Sequence, residues 1–193
     1  MLTHPAFCLS ALALSVVGTP CIVWIALAPI IMIVQAKLSV IEYGLWQLPV
    51  FSATILGNWV LNRLTYRYKL KPILYLGSGF ITVGVLLMAI LPYYYGNDYH
   101  YLLPGIIIYF FSLSLIHAPL NRLCLYITPV SKGTASALIS ISVMIVGAIG
   151  IELGNLVYHE RLNLSFGLYC SATIGLFLIL ISLTFKYDTN ATE

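Results

Sequence analysis

Apolar residues run along this chain in six long stretches, and the few charged residues stand mainly between them. The stretches cover about residues 6–35, 40–62, 72–92, 102–127, 134–158 and 164–185. A bilayer core about 30 Å thick takes about 20 apolar helical residues to cross. Each stretch is long enough, so the pattern predicts an all-α membrane protein, a single bundle of six transmembrane helices.

The composition agrees with this interpretation. Of the 193 residues, 61% are hydrophobic and only 8% are charged, and the mean hydropathy is +0.98. A soluble domain carries about 25% charged residues. No motif such as HExxH, no metal-ligand cluster, no cofactor motif and no nucleic-acid-binding patch stands in the sequence. We therefore expect a membrane protein that is not an enzyme, has no catalytic residue, metal or cofactor, and has the lipid bilayer rather than nucleic acid as its partner.

The basic residues predict the orientation in the membrane, because short cytoplasmic connections are enriched in Lys and Arg. Lys37 and Arg161 fall on one side of the predicted bundle. Seven fall on the side of the two termini, four of them in the connection after the second span: Arg63, Arg67, Lys69, Lys71, Arg122, Lys132 and Lys186. Both termini are therefore predicted to be cytoplasmic.

A weak internal repeat relates the two halves of the chain. Ala28-Pro29 lies late in the first span, and Ala118-Pro119 lies late in the fourth, 90 residues on. Two groups of three spans cross a membrane in opposite senses, and proline-interrupted segments at matching positions point toward a substrate pathway. The pattern predicts a 3+3 inverted repeat whose first and fourth helices line that pathway.

Three ionisable residues interrupt the predicted spans, and such residues are costly in a bilayer. Glu152 shares a helical stripe with Asn155 and His159, which predicts a polar surface facing the bundle interior or a water-filled cavity. Alternatively, Glu152 reaches the outer interface and meets Arg161. His117 is either functional or a packing residue, and Arg122 is either functional or extends to the cytoplasmic interface.

Small residues mark one face of the fifth span. Gly150 and Gly154 have the spacing that lets another helix backbone come close. This predicts a tight helix contact, either rigid or sliding.

Several strings resemble the C-terminal half of MdfA-type multidrug transporters, which are drug/proton antiporters of the major facilitator superfamily. They fall in the right order along the chain: Val23 to Pro29, Trp46 to Phe51, Lys132 to Ala137 and Glu152 to Gly154. The superfamily's loop signature has a degenerate counterpart in Gly57, Asn62, Arg63, Arg67 and Lys69. Asn62 stands where that signature has an acidic residue.

The resemblance implies spans seven to twelve of a twelve-span transporter in the bacterial inner membrane. Small lipophilic or cationic substrates would then be exported with a separate N-terminal six-helix half or a second copy, and a proton would be the coupling ion. The implied cavity wall comes from the first, second, fourth and fifth spans and nominates Trp24, Gln47, His117, Ser140, Met144 and Glu152. The alternative is a non-transporting membrane fragment or interaction protein from a truncated or split gene.

Overall fold

The computed structural model describes residues 5–96, 98–127, 131–156 and 162–190. Six long helices account for most of them: α1 Pro5–Pro29, α2 Val40–Thr65, α3 Leu70–Tyr95, α4 Leu103–Ile127, α5 Lys132–Leu156 and α6 Leu162–Asn190. A π-helical segment, Ile30–Gln35, continues α1, and a short 3-10 helix, Tyr99–Tyr101, precedes α4. The predicted all-helical fold is confirmed.

Five of these helices are long and apolar enough to cross a membrane within the described ranges. The exception is α2, whose 26 residues would extend about 39 Å but include more polar positions. Glu42, Gln47, Asn58, Asn62 and Arg63 all lie on it. Its crossing of the membrane stays a prediction from the sequence.

Local chemistry explains where the first two helices meet. Pro29 closes the α-helical part of α1, and the π-helical segment ends at Gln35, two residues before Lys37 with its φ of 56°. Ser39 then starts α2 with a capping box, in which its hydroxyl accepts from the Glu42 backbone N–H and the Glu42 carboxylate accepts from the Ser39 backbone N–H. These paired contacts satisfy backbone donors that a helix start leaves open.

The helices pack in a pattern with twofold pseudosymmetry: it stays the same when α1, α2 and α3 exchange places with α4, α5 and α6, respectively. α2 packs on α4 and α5 packs on α1, while α3 packs on α4 and α6 packs on α1. The α1–α4 and α3–α6 contacts each map onto themselves under this exchange. The pattern is that of the predicted 3+3 repeat, in which each triplet contributes its middle helix to the other.

Two glycines 90 residues apart support the same symmetry. A Cβ on Gly57 of α2 would meet Phe111 and Ser114 of α4, and a Cβ on Gly147 of α5 would meet Ile22 of α1. The offset equals that between Pro29 and Pro119. Close packing of the middle helix of each triplet therefore uses equivalent positions in the two halves.

The core lies along α1 and α4. Its largest fully buried side chains include Trp24 on α1, Tyr109 on α4 and Phe177 on α6. Because α2 and α5 each pack mainly on one helix, their other faces are exposed, with Ile55 of α2 71% and Met144 of α5 75% exposed.

Candidate functional site

A cavity of about 260 Å³ opens between α1, α4 and α5. His117 and Asn121 of α4 lie on one wall, and three residues of α5, Ser136, Ser140 and Met144, lie on the other. Leu14, Ile139 and Val143 complete the lining. Three residues predicted for the substrate pathway, His117, Ser140 and Met144, thus line one cavity.

His117 also lines a second hollow, of about 280 Å³, between α2 and α4. Thr54 and Asn58 contribute its polar groups from α2, and Ser114 contributes from α4. The Ser114 hydroxyl donates to the Thr54 carbonyl oxygen at 3.1 Å, which ties the two helices together. His117 therefore lies on the ridge between two concave surfaces.

The hollow contains a buried polar atom whose hydrogen-bonding capacity is unused. Within the described ranges, the Thr54 side-chain oxygen is buried and has no hydrogen-bond partner. Buried hydroxyl groups normally have one, from protein or ordered water. Thr54 thus keeps an unused hydrogen-bonding group beside the hollow.

Both concave surfaces lie toward the same end of the bundle. His117 stands ten residues before the end of α4, about 15 Å along the helix, and Ser140 stands eight residues after the start of α5, about 12 Å. This is the end that carries the basic connections predicted to be cytoplasmic. A hydrophobic lining with a few placed polar groups is typical of small-molecule sites.

Trp24 and Gln47 form a separate contact, between α1 and α2. The indole Nε1 of Trp24 donates to the side-chain oxygen of Gln47 at 3.3 Å, and Gln47 reaches the sulfur of Met32 at 3.7 Å. Trp24 is only 2% exposed, and its ring lies 5.7 Å from that of Phe166. These two predicted pathway residues thus form a hydrogen bond between α1 and α2 and do not line the cavity beside Ser140.

Glu152 and Asn155 lie on the exposed side of α5. They do not face the interior of this six-helix bundle, because α5 turns its small residues Gly147, Gly150 and Gly154 to α1. Glu152 follows Gly150 by two residues, a rotation of about 200° around the helix axis, so the two residues lie on nearly opposite faces of α5. The alternative, that Glu152 and Asn155 face a water-filled cavity, stays a prediction. Among the described residues, no hydrogen bond or ion pair to Glu152 is found. His159 and Arg161, the predicted neighbours, lie outside the described residues.

The remaining predicted basic residues are exposed near the ends of helices. Arg122 lies 5.6 Å from the Tyr126 ring, and Lys132 lies 5.1 Å from the same ring. This arrangement suits an interfacial position better than a place inside the pathway. Around the α2–α3 turn, Arg63 at the end of α2, Arg67 and Lys69 in the turn, and Lys71 at the start of α3 are all exposed.

The sequence analysis missed Asn121, Thr54 and Tyr109. Asn121 follows His117 by four residues, a spacing that places both on one face of α4 and could have indicated the polar wall. Tyr109 is buried in an apolar stretch, where an aromatic residue ordinarily indicates only core packing. Its hydroxyl lies against the backbone of α1 near Pro20, donating to the Val17 carbonyl oxygen at 2.7 Å and accepting from the Cys21 backbone N–H at 3.2 Å.

Comparison with known proteins extends the resemblance over the whole chain. The multidrug transporter MdfA of Escherichia coli O6:H1 is 36% identical over 198 aligned positions, which cover 100% of this chain and 48% of that transporter. The whole chain is therefore similar to about half of that transporter. MdfA of Yersinia pestis bv. Antiqua and MdfA of Edwardsiella piscicida are each 32% identical over 195 positions, with the same coverage.

The chain thus spans about half the length of the curated relatives it matches. No profile of a known protein family matches it. Similarity to half of MdfA agrees with the exchange symmetry of the six helices and with the apolar spans, so the chain is a multi-pass membrane protein.

Proposed function

We propose that this chain is the C-terminal six-helix half of an MdfA-type drug/proton antiporter and exports lipophilic or cationic compounds together with a separate N-terminal half. The similarity of the entire chain to 48% of MdfA carries the proposal. Alternating access in this type of transporter needs two bundles that move about a site between them. A second copy of this chain is the other candidate for the missing bundle.

The cavity beside Ser140 suits the proposed substrates. Ser136, Ser140 and Asn121 offer hydrogen-bonding groups, while Met144 and Val143 offer apolar contact. Methionine side chains adapt to differently shaped apolar ligands. Promiscuous binding surfaces use such adaptable side chains.

We assign the proton as the coupling ion, with Glu152 as the group to test. A carboxylate in a membrane span can accept a proton when its surroundings disfavour charge. Glu152 lies on the exposed side of α5, where an added bundle or the lipid can cover it. Replacement by Gln keeps the shape and removes the carboxylate, so efflux by Glu152→Gln should lose its dependence on external pH.

We place the protein in the bacterial inner membrane with both termini in the cytoplasm. Seven of the nine Lys and Arg residues lie on the side of the termini, which favours this orientation. Fusion of a reporter that is active only in the cytoplasm to Glu193 should give signal. A periplasm-specific reporter at the same position should give none.

Co-expression with the N-terminal six-helix half of Escherichia coli MdfA tests the transport proposal directly. Ethidium efflux should require both halves and should fall strongly with Ser140→Phe, because the larger ring fills the cavity. Ser182→Phe is the matched control, since Ser182 is exposed on α6, away from the cavity. If both halves reach the membrane and no efflux results, the transport proposal fails and the non-transporting alternative is favoured.

A further inference from the structure

An apolar groove of about 290 Å³ lies between the adjoining ends of α2 and α3. Its lining comprises Leu64, Tyr68, Pro72, Ile73 and Leu76. The groove forms because α2 and α3 both pack mainly on α4 and contact each other only slightly. Leu61 of α2 and Ile73 of α3 meet Leu115 of α4 in a small separate cluster, and the space beside this cluster stays open.

The turn at the end of the groove is strongly basic. Arg67 and Lys69 flank the groove residue Tyr68, and both are exposed. Two other basic residues of this stretch lie over aromatic rings, with Arg63 over Trp59 at 5.3 Å and Lys71 over Phe185 at 5.4 Å. The sequence has no Asp or Glu between Glu42 and Asp98. Arg67 and Lys69 therefore have no carboxylate near them along the chain.

The backbone at this turn adds to the attraction for an anion. Lys69 is the N-cap of α3 and makes no side-chain capping hydrogen bond. The first N–H groups of a helix lack partners within it and favour negative charge nearby. They add to the field of Arg67 and Lys69 at the mouth of the groove.

We propose that this groove binds an anionic phospholipid of the bilayer. One acyl chain lies against Leu64, Ile73 and Leu76, and the phosphate is held by Arg67 and Lys69. The groove is apolar along the helices and basic at the turn, which matches the two parts of such a lipid. Basic pockets between transmembrane helices recognise anionic headgroups in this way. The proposal requires only that the chain lies in a membrane and does not depend on transport.

Native mass spectrometry of the purified full chain in a nonionic detergent tests the proposal. Phosphatidylglycerol and phosphatidylcholine with identical acyl chains are the probes. The chain should retain phosphatidylglycerol with a preference of roughly tenfold, since each basic residue near the headgroup favours the anionic lipid. Equal retention of the two lipids would overturn the proposal.

Variants locate the two parts of the site. Arg67→Gln with Lys69→Gln should remove the preference, whereas the matched pair Arg122→Gln with Lys132→Gln, with the same loss of charge elsewhere, should keep it. Leu76→Trp should reduce retention of both lipids, because the indole fills the groove. The assignment would be contradicted if the two double variants lost the lipid preference equally, or if Leu76→Trp retained both lipids as well as the wild type.

Two measurements on the unmodified chain make the result independent of variant folding. Raising the salt from about 50 to about 500 mM should abolish the preference, because screening weakens exposed charge contacts. Bound lipid should also remain when a six-helix partner half is added. If the lipid were released when the partner half binds, the groove would be a contact surface for that half and the proposal would be wrong.

Discussion

The hydroxyl of Tyr109 on α4 donates a hydrogen bond to the backbone carbonyl oxygen of Val17 on α1, 2.7 Å away. The same hydroxyl accepts from the backbone N–H of Cys21 at 3.2 Å. In an α-helix, that N–H and that carbonyl are each other's ordinary partners. The side chain of one central helix thus bridges two backbone groups of the other, next to Pro20.

Replacing Tyr109 by Phe should therefore destabilise the bundle by about 1–2 kcal/mol. The ring keeps its packing, but the Val17 carbonyl and the Cys21 N–H lose their bridging group in an apolar surrounding. Unfolding in mixed detergent micelles measures the change. Tyr94→Phe is the control, because Tyr94 is 75% exposed, and equal stability of the two variants would contradict the bridging role.

The Trp24–Gln47 hydrogen bond should appear as an energetic coupling between α1 and α2. In a double-mutant cycle with Trp24→Phe and Gln47→Leu, we expect a coupling of about 0.5–1.5 kcal/mol, in the range found for hydrogen bonds between membrane helices. The same unfolding experiment gives all four stabilities. Strictly additive effects would show that the contact contributes no specific free energy.

The α1–α5 contact should tolerate no side chain at Gly150. A Cβ there would overlap the Thr19 methyl group and come within 2.9 Å of the Tyr169 hydroxyl. Gly150→Ala should lower stability by about 1–3 kcal/mol, as overpacking does. Gly175→Ala is the matched change, since nothing lies within 4 Å of a Cβ at that position of α6.

Because alanine favours a helix over glycine by up to about 1 kcal/mol, Gly175→Ala should be neutral or stabilising. The two substitutions are predicted to differ in sign. A stabilising Gly150→Ala would mean that α1 and α5 are farther apart than described.

Asp98, in the connection before α4, should titrate at low pH. Burial alone would raise its pKa, but hydrogen bonds from the His100 side chain and backbone N–H hold the pKa below the ordinary 3.8. A lowered carboxyl pKa stabilises the connection above the ordinary value, and this contribution is lost as the pH falls through the lowered one.

The amide proton resonance of His100 should report this loss, with a midpoint below pH 3.8 in an NMR titration. Asp98→Asn should abolish the transition. A midpoint at or above the ordinary value would show that the contact with His100 does not favour the ionised carboxylate.

Sequence pattern predicted most of the fold, because bilayer thickness imposes a length and a polarity on each helix. The Gly150 and Gly154 spacing predicted a close helix contact, and the structure supplies it as α5 against α1. The site was less predictable. His117, Ser140 and Met144 meet in one cavity, but Trp24 and Gln47 pair elsewhere, and polarity along one helix did not reveal which neighbour each side chain faces.

The sequence by itself determined that this protein consists of apolar helices of membrane-spanning length, because that property follows from local composition. It also showed an Ala-Pro pair that recurs at a spacing of 90 residues, and it predicted that the basic residues gather on one side. Only the tertiary structure decided that Glu152 turns away from the bundle, that Tyr109 bonds to the backbone of α1 beside Pro20, and that α2 and α3 leave a groove beside Arg67. Those outcomes depend on which helix each face packs against, and that pairing joins residues distant in the chain.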